Sequence, residues 1–297
     1  MDRTEERVSA LCAAPIGCLF LMTVEASGLD AAEAARPEIA LQVAALTDHD
    51  ATPWTGSHEE VVAKALQNGP RLTPLAREIV SRPEAAWWWA ELNRGAQWWT
   101  GASIHAPSVP GDLEPKTGGP LTDHERYSLM PERGFLTSSA FGDITSHLAY
   151  LSWGSGDFPI NNPIPCRRYP VSAQARVFEV HGPDDWHALV AAHPASERGP
   201  ARNGVPGDRE DQVVPDWASL AKAWDSVHLS FGGLLTTRFV WIEGHPGPTR
   251  NWSWEIEGTW WLRWCFDAME DDPPTAQIPP RDNRIIGPIA LWARQIG

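Results

Sequence analysis

Gly134-Phe135-Leu136-Thr137-Ser138-Ser139, followed by Ser146-His147-Leu148-Ala149-Tyr150, is the stretch on which the reading of this chain turns. Two apolar residues lead into three adjacent hydroxyls, the pattern of a short strand with a polar end. Alternation along a strand sends Thr137 and Ser139 to one side and Ser138 to the other. Such hydroxyls can cap a following helix or orient another side chain and hold a ligand.

Toward the C terminus the chain keeps supplying strand patterns. Arg176-Val177-Phe178-Glu179-Val180 and Ser226-Val227-His228-Leu229-Ser230-Phe231 alternate, and further strands are expected over residues 237–243 and 252–266. In the last of these, Glu255 and Glu257 alternate with Trp254 and Ile256. A strand there puts both carboxylates on one face, about 7 Å apart. Like charges so placed cost energy unless solvent screens them or a site uses them. Two helices open on Asp-Trp: one after Gly182, with Asp184 or Asp185 as cap, and one at Asp216.

Toward the N terminus the chain reads as helical. Residues 8–24 are apolar but interrupted by Pro15 and Gly17, and they follow an acidic start. A buried helix and turn is the reading, in place of a signal peptide or a membrane span. Apolar spacing predicts helices over 31–45 and 59–67, the second started by a Ser57/Glu60 capping box and ended by Asn68-Gly69-Pro70. A short helix from Thr73-Pro74 to Arg82 follows. Trp87-Trp88-Trp89 and Trp98-Trp99 flank Arg94, with a helix expected over most of that block. An arginine among tryptophans is either a structural stack or an anion anchor. Residues 101–120, with four prolines and four glycines, read as a long loop or linker.

Composition narrows the function. The net charge of -14, from 38 acidic and 24 basic residues, disfavours nonspecific nucleic-acid binding. Four scattered cysteines make no zinc spacing, so no metal is expected, and they point to free thiols in a cytoplasmic protein. Seventeen tryptophans against three tyrosines mean a thick aromatic core or stacking platforms for a flat ligand. The fold class is α+β: a helical cap over 1–95, then a mostly antiparallel, Trp-rich sheet domain with flanking helices over 96–297.

An Arg, then a Thr-Ser-Ser strand, then a Glu-x-Glu strand resembles the ADP-ribosyltransferase superfamily, whose signature is Arg, Ser-Thr-Ser and Glu-x-Glu. The matching positions are Arg94, Thr137-Ser138-Ser139 and Glu255-Ile256-Glu257. Gly134 to Ser138 with Ser146 and Tyr150 is similar to the strand and helix that hold nicotinamide in poly-ADP-ribose polymerases. The layout is also similar to Trp-rich proteins of bacterial type. The resemblance implies NAD as substrate. Glu257 would stabilise the positive ribose carbon, Glu255 would orient or deprotonate the acceptor, and Ser138 would fix Glu257. Arg94 would hold the pyrophosphate, with Gly134, Thr137 and Tyr150 on the nicotinamide side. The acceptor stays open: protein, nucleic acid, small molecule or water. Two other classes compete. One is a binding module with exposed tryptophans along a cleft. The other is a small-molecule enzyme using His228, Asp225 and Glu257 without NAD.

Overall fold

The computed structural model describes residues 3–51, 58–100, 131, 134–141, 147, 164–196, 209–267, 275–276 and 282–285. Its N-terminal part is a stack of helices: α1 (Arg3–Ala13), α2 (Pro15–Ala26), α3 (Ala31–Ala35), α4 (Pro37–Ala51) and α5 (His58–Val80). A 3-10 helix, Pro83–Trp89, leads to the sheet. Strands β1 (Gln97–Thr100), β2 (Phe135–Ser139), β3 (Ile164–Tyr169) and β4 (Val177–Val180) follow. Then come α6 (Pro183–Ala192), α7 (Trp217–Ala223), β5 (Ser226–Leu229), α8 (Phe231–Thr237), β6 (Gly258–Trp261) and β7 (Thr275–Ala276). The architecture is α+β.

The apolar run at residues 8–24 is two helices, not one. Pro15 has no N–H to donate and disfavours helical backbone at Ala14, which is extended (φ -103, ψ 136). The pair bends by 91°, and no single helix among the described residues is long and apolar enough to cross a membrane. Nine of the twelve residues of α2 are buried, so it is the central helix of its layer. Gly28, at φ +63, ends it: Gly28 N–H donates to Glu25 and Leu29 N–H to Val24, which satisfies the last carbonyls. Asp30 and Glu33 then form the capping box of α3.

The Asn68-Gly69-Pro70 stop is overturned, because α5 continues to Val80 through Pro70 and Pro74. Both prolines are exposed, while Val61, Ala65, Leu72, Ala76 and Ile79 form one buried stripe. Packing of that stripe outweighs the hydrogen bonds the prolines remove. Gly69 lets α5 lie on α1, since a Cβ there would run into the Cys12 carbonyl. Ser57, the expected cap, lies outside the described residues. The helix expected over the tryptophan block is the 3-10 helix. Trp87 and Trp88 both donate their indole N–H to the Ala35 carbonyl, at 2.9 and 3.2 Å.

The sheet order is β4-β5-β6-β2-β1-β3-β7, antiparallel except for the parallel β4–β5 pair. One face carries Leu136, Val180, Val227, Leu229 and Trp260 against Trp186 and Leu189 of α6 and Trp217 and Leu220 of α7. On the other face Phe135 and Trp261 pack with Tyr169, Phe266 and Leu92. The third apolar cluster joins the N-terminal helices to Phe231 and Leu235 of α8. Phe231 meets Phe20 at 6.0 Å and Trp88 at 5.0 Å between ring centroids.

Two expected strands shrink. Residues 231–237 are the helix α8, started by Ser230, whose hydroxyl accepts from Gly233 N–H; among the described residues the strand expected over 237–243 leaves two isolated bridges, Arg238 to Asn251 and Ile242 to Thr249. The strand expected over 252–266 is reduced to Gly258–Trp261, because Asn251 Oδ1 accepts from Trp254 N–H and turns the chain. Close approach of α5 to α1 is testable. Gly69→Ala is expected to lose about 1–3 kcal/mol of stability in urea unfolding, and an unchanged midpoint would show that the two helices are not in backbone contact.

Candidate functional site

The pairing of β2 with β6 sets Phe135 opposite Trp261 and Thr137 opposite Thr259. Carried on, the same register brings Ser139 to Glu257. Gly258 allows the approach, since a Cβ there would meet the Thr137 carbonyl at 2.7 Å. Glu257 Oε2 accepts from Ser138 Oγ at 3.0 Å and from Ser139 N–H at 3.1 Å. The backbone N–H of Glu257 donates to His147 Nδ1 at 2.9 Å. Glu257 is 2% exposed, and Ser138 and His147 are 0% exposed.

Burial pushes the Glu257 carboxyl up to about 7, against the pull of the Ser139 and Ser138 hydroxyls and the Ser139 N–H; charge on Glu179 raises it further. Burial pushes His147 down to about 3, so its ring is neutral near pH 7. Because Nδ1 accepts a hydrogen bond, the proton of that neutral ring sits on Nε2. His147 Nε2 is buried and has no hydrogen-bond partner.

A polar row crosses the sheet beside this group. Glu179 lies opposite His228, His228 opposite Thr259, and Thr259 opposite Thr137, all on one face. Gln97 ties the row together. Its Nε2 donates to the Asn93 carbonyl at 3.3 Å and to Ser139 Oγ at 2.9 Å, which fixes the amide. Its Oε1 accepts from Thr137 at 2.6 Å and from Thr259 at 3.2 Å. Trp261 Nε1 donates to Thr137 Oγ1 at 2.8 Å. His228 Nδ1 lies 2.9 Å from Thr259 Oγ1. Burial, with His181 nearby, holds His228 down at about 3, the Gly258 backbone acting in the opposite direction.

Ser138 and Glu257 therefore come together, with Thr137 in the adjoining network. Gly134 sits against Trp260, where a Cβ would meet the indole at 2.8 Å. Arg94 does not join them. It stands in the turn before β1 and donates to the carbonyls of Ser172 at 2.7 Å and Ala175 at 2.8 Å. Glu255 and Glu257 do not share a strand face, because the chain bends through them. Glu255 pairs instead with the buried Arg238 at 3.2 Å. Asp225 is held by Arg176 at 2.8 Å. Tyr150 and Ser146 lie outside the described residues. Among the described residues, no three His, Cys, Asp or Glu side chains could hold a metal ion. No tryptophan with a described side chain is exposed.

Sequence reasoning passed over Glu179, Gln97 and His147. Glu179 carried one signal, a carboxyl inside an apolar strand. Gln97 and His147 carried none, since their roles depend on side-chain contacts across 42 and 110 residues. No family model, curated protein or solved structure matches the chain.

The raised Glu257 pKa makes a stability prediction. The folded state holds this proton more tightly than the unfolded state does. The stabilisation is complete below the ordinary value of 4.5 and is lost as pH rises through about 7. Between pH about 4.5 and about 8, wild type should lose on the order of 2–3 kcal/mol relative to Glu257→Gln. Urea midpoints at both pH values check this, and parallel curves for the two proteins would count against a raised pKa.

Proposed function

We propose that this chain cleaves the N-glycosidic bond of NAD and passes ADP-ribose to an acceptor or to water. One observation carries the reading. Two stretches 119 residues apart meet in the hydrogen bond between the Ser138 hydroxyl and the Glu257 carboxyl. The Ser-then-Glu order of the ADP-ribosyltransferase superfamily assigns that contact to the serine that fixes the catalytic glutamate.

Loss of nicotinamide leaves positive charge on the ribose carbon. The chemistry asks for a fixed negative group in dry surroundings more than for acid or base. Glu257 supplies the charge once ionised, and its burial strengthens its field. Ser138 and Ser139 hold the carboxylate, so little reorganisation is needed as the bond breaks. His147 offers its Nε2–H to a substrate oxygen. The guanidinium of Arg94 secures the 172–175 loop, so in this reading it supports the site without touching pyrophosphate.

Nicotinamide release from NAD tests the proposal. Glu257→Gln is expected to fall by about 10²-fold or more, with the fold retained in circular dichroism. Wild-type turnover should rise with pH through about 7, because the carboxyl must be ionised. Equal rates for wild type and Glu257→Gln would reject the assignment.

A further inference from the structure

We propose that Glu179 is the base that activates the acceptor, and that it acts with His228 behind it. The inference rests on the NAD-cleaving reading and supplies the second carboxylate, a part that Glu255 cannot take while it is bound to Arg238.

Four observations point to Glu179. It lies on the sheet face of His228, Thr259 and Thr137, and its charge is felt at Glu257. Its Oε1 accepts from Leu92 N–H at 3.2 Å, while Oε2 is buried without a hydrogen-bond partner. An acceptor's O–H is the donor that this oxygen lacks. The side chain is 23% exposed, which gives a captured proton a way out. Burial lifts its pKa to about 7, with Glu91 adding to the rise and Leu92 N–H and Arg94 opposing it. A base with that value is half ionised near neutrality and still able to hold a proton.

His228 completes the device through its tautomer. The Thr137 hydroxyl takes the Trp261 N–H and gives its own proton to Gln97 Oε1. The Thr259 hydroxyl also gives its proton to Gln97 Oε1, so it accepts from His228 Nδ1–H. His228 Nε2 is then a bare lone pair, 4.0 Å from Glu179 Oε2. At 4.0 Å the two make no hydrogen bond, so this nitrogen leaves Oε2 without a donor and open to the acceptor's O–H.

With water as acceptor, one O–H proton passes to Glu179 Oε2 and the water oxygen bonds the ribose carbon. The bond from that carbon to the nicotinamide nitrogen breaks, and the nitrogen keeps the electron pair. The products are ADP-ribose, nicotinamide and one proton, which leaves Glu179 for solvent.

The experiment is nicotinamide release from NAD by wild type, Glu179→Gln and Glu257→Gln, with and without sodium azide. Azide has no proton to remove. Glu179→Gln should lose about 10²-fold or more in water, recover to within about tenfold of wild type in azide and form ADP-ribosyl azide. Glu257→Gln should recover in neither. If wild type releases no nicotinamide, the NAD reading fails and takes this inference with it. If wild type turns over and Glu179→Gln matches it in water, only the inference falls. Loss in Glu179→Gln that azide does not restore also overturns it. Should Glu179→Gln unfold, Glu179→Asp replaces it and must show the same azide-selective recovery. Nitrogen NMR of the ring gives a readout independent of turnover: His228 should show a proton on Nδ1, and a proton on Nε2 overturns the pairing.

Discussion

Taking the Glu257 carboxyl out of water is the constraint around which the sheet is arranged. A buried carboxylate costs several kcal/mol unless donors surround it. Here the donors are the Ser138 hydroxyl and the Ser139 N–H at the end of β2. They reach it only because β6 lies close to β2, and Gly258 makes that approach possible. Removing the donors would leave an uncompensated buried acid. Removing the acid would take from both donors the acceptor they share. Each partner is therefore held by the other, and the two strands are held with them.

The tryptophans make this burial workable. A polar row within a dry core needs large apolar walls, and the wall atoms nearest to it must hydrogen-bond. Trp261 does both, packing its ring at 4.6 Å from Phe266 while donating to Thr137. Trp87 and Trp88 do the same for the helical layer, where they close the end of α3. Rings from Phe20 to Phe231 run between the N-terminal helices and α8. The helical layer thus shares a core with the element that follows β5 directly.

Local pattern made much of this fold legible. Hydrophobic spacing and the Asp-Trp helix starts act over a few residues, and the structure follows them at α6 and α7, while residues 8–24 form two helices where the pattern reads as a helix and turn. Asp216 caps its helix as read, by accepting from Ser219 N–H. At α6 the cap position is Gly182, and Asp185 accepts from His181 N–H instead. Where local and tertiary signals disagreed, packing prevailed. Proline and glycine within α5 read as a stop, but the helix continues because its buried stripe does. The Glu-x-Glu segment read as a strand, and a single Asn251 contact turns it into a bend. In the candidate site, Ser138 and Glu257 were legible as types at a spacing. Gln97 was not, because its value lies in joining β1, β2 and β6, which no local pattern encodes.

Charge states in the row oppose one another in a way that bears on its use. Burial pushes His147 and His228 down to about 3 and lifts Glu179 and Glu257 to about 7. Near neutral pH the imidazoles are uncharged and the two carboxyls are poised at their midpoint, each raised chiefly by the same loss of solvent. Charge on Glu179 raises Glu257 further, as the smallest of the causes acting on it. A cation entering the site reverses the penalty, since positive charge beside a carboxyl favours its ionised form. In the proposed reaction the nicotinamide ring of NAD carries such a charge, and the ribose carbon takes it over as the bond breaks. The acids are then charged most strongly when the substrate is present and when its carbon needs them. Trp186 and Trp254 also bury an N–H without a partner, but those indoles lie in the apolar packing against α6. The orphaned acceptor on Glu179 and the orphaned donor on His147 belong to groups whose other polar atom is already fixed. A network serving only the fold would gain about 1–3 kcal/mol by closing each. In the proposed reaction the substrate and the acceptor complete these two.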